Sequence, residues 1–198
     1  MSGLGASMAG GNSSAGRRKD DFYATIDTDV TEGLLKRISF GDRKIHECAV
    51  GTGEMAEVIK AYGYDVVASD IVDRGYPGTM VIDFRQLAQR AAPVVITNPP
   101  FNVAADFIEH GMGQLKLDAM ALLLKSTFFH AAKRKPLFVK HPPLFKLDLL
   151  WRPDFSGEGS PTMELSWFVW KRGHQGSTTY NLIEKPRVSR LTECYKAS

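Results

Sequence analysis

The chain has 198 residues, 43% of them hydrophobic and 24% charged, with a formal net charge of +3. That length accommodates one domain with a substantial core. Cys48 and Cys194 are too few for a disulfide framework and fit a reducing cytoplasm, no apolar run approaches a membrane span, and the N-terminus lacks an apolar signal region.

In chain order, residues 1–16 are rich in Gly, Ser and Ala and read as a disordered tail, which places a domain at 20–175 after a tail at 1–19 and before a C-terminal extension at 176–198. A leading helix is predicted over 30–38. Residues 45–50 form a strand that turns through Gly51 and Gly53 into an amphipathic helix over 54–62. The two glycines can take φ values closed to other residues and let backbone approach a ligand. The third glycine of a dinucleotide fingerprint and the Gly-Lys-Ser/Thr of a phosphate loop are both missing, so neither NAD nor ATP is favoured. A second strand, 65–70, ends in Asp70, about twenty residues after the glycines, where an acid can bind ribose hydroxyls. A short third strand, 80–82, leads to Asp83, which could accept from an adenine amine. Either acid could instead cap the element that follows it.

Next come a helix over 84–90 and a fourth strand over 94–97, which delivers Asn98-Pro99-Pro100-Phe101. The prolines fix φ and hold Asn98 extended, so its amide projects beyond the strand end. An amine on a planar ring is a poor nucleophile because its lone pair is delocalised. Two acceptors aimed at its N–H groups oppose that delocalisation, and the Asn98 side-chain oxygen with the Pro99 carbonyl would supply them. Phe101 offers a face for stacking. The competing reading is a stiff loop between strand and helix. Beyond it, a helix over 103–110, a fifth strand over 119–125, a short helix over 127–134 and two final strands, 145–151 and 164–171, complete the pattern. Strands alternating with helices predict a doubly wound α/β fold: a mostly parallel seven-stranded sheet, helices on both faces, and an antiparallel C-terminal edge strand.

These motifs together resemble the class I S-adenosylmethionine-dependent methyltransferases, and among them the small prokaryotic or phage-type enzymes that methylate the adenine amine of DNA. Asn98 to Phe101 is similar to that family's catalytic tetrapeptide, Glu47 to Gly53 to its cofactor loop, and Asp70 and Asp83 to its ribose- and adenine-contacting acids. The segment Asp21-Phe22-Tyr23-Ala24-Thr25 is similar to the one that contacts the methionine end of the cofactor, although Thr25 could also cap the helix that follows. The resemblance covers about residues 21–173. It implies a Rossmann-like fold and S-adenosylmethionine as cofactor. It also implies catalytic roles for Asn98, Pro99, Pro100 and Phe101, and cofactor contacts from Tyr23, Thr25, Glu47, Ala49, Gly51, Thr52, Gly53, Asp70, Ile71, Asp83, Phe84 and Asn98.

Charge is uneven along the chain. Residues 133–198 hold 12 Lys/Arg against 6 Asp/Glu, whereas residues 1–132 hold 13 against 16. The stretch 133–147 interleaves cations with aromatics and prolines, which suits an inserted loop that grips a phosphate backbone beside an extruded base. Lys133, Arg134, Lys135, Lys140, Lys146 and Arg152 are the first nucleic-acid candidates, with Lys171 and Arg172 as secondary ones; a solvated connector is the plain alternative. The five histidines lack metal-ligand spacing, and no metal is expected. The expected activity is methyl transfer to adenine in DNA. Alternatives are an RNA base amine, a protein glutamine amide, or a cofactor-binding partner subunit without catalysis. Oligomeric state and recognition sequence are not encoded in these motifs.

Overall fold

The computed structural model describes Thr25 and residues 27–41, 43–155, 159 and 161–187. Tyr23, Cys194 and the tail 1–16 lie outside the described residues. Eight strands form one sheet: β1 (Ile45–Glu47), β2 (Val66–Asp70), β3 (Met80–Val81), β4 (Val94–Thr97), β5 (Ala119–Lys125), β6 (Phe145–Leu149), β7 (Leu165–Lys171) and β8 (Thr179–Ile183). Their order across the sheet is β3-β2-β1-β4-β5-β7-β6-β8. Only β7 runs antiparallel to its neighbours, β5 and β6; every other pairing is parallel.

Strand composition explains how both faces are covered. Along β5, Ala121 and Leu123 face one apolar cluster while Met120, Leu122 and Leu124 face the other, and all five are buried. Such near-continuous apolar runs mark strands buried on both sides. The first cluster is closed by α1 (Asp29–Arg37) and α2 (Glu54–Ala61), the second by α3 (Ala104–Ile108). Trp167 and Trp170 on β7 fall on opposite faces and are fully buried, and each indole N–H is satisfied by a backbone carbonyl, Val30 at 2.8 Å and His141 at 3.0 Å. No helix among the described residues is long and apolar enough to cross a membrane.

The expected doubly wound, mostly parallel α/β architecture stands, with one strand more than the expected seven. The added strand is β8, which pairs with β6 from Phe145↔Thr179 to Leu149↔Ile183 and forms the outer edge. Only Ile183 of β8 is buried, so little apolar patterning marks it in the sequence. Helical expectations need three corrections. Residues 84–90 form just one 3-10 turn, Phe84–Gln86, because Leu87 is already extended at ψ 122°. The helix after the tetrapeptide continues as a π-helical segment, Glu109–Gln114. The stretch 127–134 forms 3-10 turns, and a true helix, α4 (Lys135–Lys140), begins where Pro136 occupies the first turn.

Close packing ties β8 into the domain. A Cβ at Gly33 of α1 would stand 2.6 Å from Ile183 Cγ2, so this helix approaches the strand through a glycine. Ile183→Ala is therefore expected to lower stability by about 2–5 kcal/mol in a denaturant titration. An unchanged midpoint would show that β8 is peripheral to the core.

Candidate active site

Two chain segments leave the carboxyl ends of β1 and β4, which are adjacent strands whose connections run to opposite sides of the sheet. Open α/β sheets bind ligands at this kind of switch point. The glycine turn leaves β1 and the Asn-Pro-Pro-Phe tetrapeptide leaves β4, so the fold brings the two predicted motifs together.

Gly51 and Gly53 have φ of 57° and 101°, both in the left-handed region that disfavours side chains. The turn is pinned by Asp70, whose buried carboxylate accepts from Gly51 N at 2.9 Å and from Val72 N at 3.2 Å. Remaining lone pairs on these oxygens can still accept from hydroxyls. Ile71, next along the chain, is 50% exposed, an apolar side chain left at the mouth of the site. Thr52 is exposed at the tip of the turn, and its hydroxyl bonds Glu54 at 2.7 Å.

Glu47 sits beneath this turn, fully buried. One carboxyl oxygen accepts from Ala49 N at 3.1 Å and from the Thr97 hydroxyl, while Oε2 is buried with no partner. Burial pushes the carboxyl up to about 8, against the two hydrogen bonds, with the nearby Asp70 charge adding to the rise. Glu47 is thus neutral at pH 7 in the free protein.

Asn98 is half-buried, and its Nδ2 donates to Thr25 Oγ1 at 3.1 Å. This contact spans 73 positions of sequence. With the amide N–H held by Thr25, the side-chain oxygen of Asn98 is left as an acceptor. The turn behind it closes through Val103 N to the Pro100 carbonyl at 3.2 Å. Phe101 packs where both apolar clusters meet, and Lys125 Nζ lies 5.5 Å from its ring centroid.

The other predicted residues divide. Asp83 accepts from Arg85 N at 2.9 Å and is gripped by the Arg85 guanidinium, which holds its carboxyl below the usual range. That is the capping role, and any adenine amine would share the carboxylate with Arg85. Phe84 is buried against Phe107, with ring centroids 4.8 Å apart, so only its backbone could face a ligand.

The nucleic-acid candidates do not form one patch. Lys133 and Arg134 line a cleft of about 310 Å³ beside Phe101, with Phe128, Leu137, Asp106 and Glu109. Lys135 lines a second groove with Phe138 and Val139. Among the described residues, five of the eight cations have partners. Arg134 donates to the Phe128 carbonyl at 2.7 Å and covers its ring, Lys140 pairs with Glu109, and Lys146 with Asp148. Arg152 pairs with Glu164 at 2.7 Å and Arg172 with Asp118 at 2.7 Å. Lys171 and Arg172 require a correction of place. Because β7 is antiparallel, Lys171 stands opposite Ala119, at the start of β5, so both cations lie at the amino ends of the parallel strands, away from Asn98.

Three contributors lack a sequence signature. Tyr76 covers Gly53 so closely that a Cβ there would stand 2.0 Å from the ring, and its hydroxyl bonds Glu57 at 2.7 Å. Thr97 holds Glu47 from the residue before Asn98, and Lys125 overlies Phe101. No spacing rule links these residues to their partners.

The sequence matches no family model, and no curated protein matches it. Solved structures do. A candidate class I S-adenosylmethionine-dependent methyltransferase from Listeria monocytogenes matches with a TM-score of 0.59 at 17% identity, over 92% of this chain and 72% of that one. A 23S rRNA methyltransferase matches at 0.54 and 13%, over 78% and 70%. The modification subunit of a candidate type I restriction enzyme from Vibrio vulnificus matches at 0.51 and 14%, over 88% of this chain and 52% of that one.

The Glu47 environment makes a pH prediction. Its folded pKa lies above the ordinary value of 4.5, so the proton it holds favours the folded state at low pH, and stability falls as pH rises from about 4.5 through 8. Glu47→Gln should remove that slope and leave the free protein more stable than wild type at pH 8, by on the order of a few kcal/mol. Parallel stability curves for the two proteins across pH 5–8 would contradict it. The arrangement as a whole has the Rossmann-like α/β fold of the methyltransferases it resembles in structure.

Proposed function

We propose that this chain transfers a methyl group from S-adenosylmethionine to the exocyclic amine of adenine in DNA. The observation that carries the reading is the Thr25–Asn98 hydrogen bond, which leaves an acceptor oxygen at the end of β4 beside the glycine turn of β1. The residues fit the cofactor. The turn offers close backbone approach at Gly51 and Gly53, Asp70 presents acceptor oxygens, and Glu47 Oε2 is a buried polar atom still lacking a partner. When bound, the cofactor supplies an electrophilic methyl group.

The chain's own part is positioning. Asn98 Oδ1 and the Pro99 carbonyl accept from the two amine N–H groups and turn the lone pair toward the methyl carbon, with reacting atoms about 3–3.5 Å apart. Phe101 packs beside the ring, and Ala49, Thr52, Ile71, Asp83 and the Phe84 backbone complete the cofactor contacts. No strong general base is needed, since the amine acidifies once methylated and then loses its proton. Lys133, Arg134, Lys135 and Lys140 lie on the segment flanking the cleft at Phe101, where they can meet phosphate.

The similar structures include a 23S rRNA methyltransferase and a modification subunit of a restriction enzyme, which supports nucleic acid as the substrate class. An RNA base amine, or a protein glutamine amide, would fit the same two acceptors. Labelled methyl transfer to single-stranded DNA, duplex DNA, RNA and a protein lysate, with nucleoside mass spectrometry, separates them. Methylated adenine in DNA is expected, and label in RNA or protein instead would overturn the substrate.

Asn98→Ala should lower turnover by about 10²–10³-fold. Cofactor affinity should change little, and its loss along with turnover would mean a structural role. Asp70→Ala should weaken cofactor binding by about tenfold or more, as expected for a lost hydrogen bond to a charged group. An unchanged dissociation constant would count against its assignment to the ribose.

A further inference from the structure

At the amino ends of the parallel strands, three arginines converge on one acid. Asp118 Oδ1 pairs with Arg172 at 2.7 Å and Arg90 at 3.0 Å, and Oδ2 with Arg43 at 3.5 Å. One carboxylate cannot neutralise three guanidiniums, so the cluster keeps a surplus of two positive charges. The arginine side chains are 40–55% exposed while Asp118 is 20% exposed, so the acid lies beneath and the cations face solvent.

The backbone holds this arrangement in place. The Lys116 carbonyl accepts from Arg90 at 3.2 Å and from Arg172 at 3.3 Å. Lys116 itself has φ of 50°, the one left-handed non-glycine residue among those described. Its carbonyl thus meets both forks from a left-handed turn. Lys44 at the start of β1 and Lys171 at the end of β7 are exposed at the same end. Among the described residues, Arg43, Lys44, Arg90, Lys116, Lys171 and Arg172 thus stand here against Asp118 and Asp65.

We infer that this end of the sheet is a second nucleic-acid contact surface, which grips phosphates remote from the methyl-transfer site. Fixed arginine forks suit phosphate oxygens, which they meet through paired N–H donors. A protein partner fits less well, because interface cores need apolar anchors. None of the cluster's own residues is among the exposed large hydrophobic residues of the described chain. The length of β5 separates this surface from the carboxyl ends of the strands by about 20 Å, at roughly 3.3 Å per residue. A nucleic acid reaching both would lie along the flank of the domain. The surface goes beyond the proposed activity and does not require it.

The test is binding of fluorescein-labelled 20-nucleotide single-stranded DNA, its duplex and the matching RNA by fluorescence anisotropy, from 50 to 200 mM salt. Arg90→Gln/Arg172→Gln leaves Arg43 and Asp118 as a neutral pair, and Lys44→Gln/Lys171→Gln removes two exposed cations without touching the cluster. Each double variant should weaken binding at least fivefold and make the log–log salt slope shallower by about one to two, since each lost phosphate contact accounts for about 0.7–0.9 of slope. The readout is binding alone, so the result stands apart from whether methyl transfer to any substrate is found. Should the arginine variant lose its folding transition, the lysine variant decides. Wild-type affinity and slope in the folded variants would overturn the inference. So would competition by poly-glutamate as effective as by unlabelled oligonucleotide, which would point to an acidic protein instead.

Discussion

The hydrogen bond between the Thr97 hydroxyl and the Glu47 carboxyl is the constraint on which the site depends. Glu47 ends β1 and opens the glycine turn, and Thr97 ends β4 and precedes Asn98. The parallel β1–β4 pairing sets the register, and this contact adds a side-chain tie between the two motifs at the strand ends. Ala49 N–H shares the same oxygen, so the first residues of the turn are fixed too. The arrangement works because the carboxyl is buried and neutral at pH 7: a carboxylate there would carry the full cost of desolvation with one oxygen unpartnered. Asp70 adds the second tie, from β2 to Gly51, and Tyr76 the third, over Gly53. The three acids along adjacent strand ends therefore have different partners. Glu47 holds a proton, Asp70 is satisfied by backbone N–H groups, and Asp83 is held ionised by Arg85.

Strand direction decides where charge goes. The basic C-terminal third of the sequence suggests one phosphate-binding region, but the antiparallel β7 splits it. Lys133 and Arg134 stay near the tetrapeptide and Lys135 turns into a separate groove, while Lys171 and Arg172 are carried to the opposite end, where they join Arg43, Arg90 and Lys116 from the acidic two-thirds. Sequence blocks of charge and surface patches of charge are thus different objects in this fold.

What the sequence made legible follows from what local patterning encodes. The parallel strands, α1 and α2, and the glycine turn rest on periodicity and on glycines forced into positive φ, which act within a few residues. The neighbourhood of Asn98 and the turn followed from strand order alone. Illegible were β8, whose one buried residue, Ile183, leaves no alternation to read, and the π-helical turn after α3. The partners Thr25, Thr97, Tyr76 and Lys125 are chosen by tertiary placement. Of these, only Thr25 had a signal, through the resemblance of residues 21–25, and its contact with Asn98 was not part of that signal. For Asp83 the capping alternative is the one the geometry displays, because Arg85 lies within reach two residues on.

We propose that the β1 and β4 ends together bind an adenosyl sulfonium ligand, with the Glu47–Thr97 tie joining them. Calorimetric titration of the full chain with S-adenosylmethionine, and in parallel with ATP and NAD, tests it most directly. Saturable one-to-one binding of S-adenosylmethionine that Thr97→Val weakens, with ATP and NAD giving no heat of binding, is the predicted result. Equal binding of all three, or none of S-adenosylmethionine by a folded chain, would contradict the account.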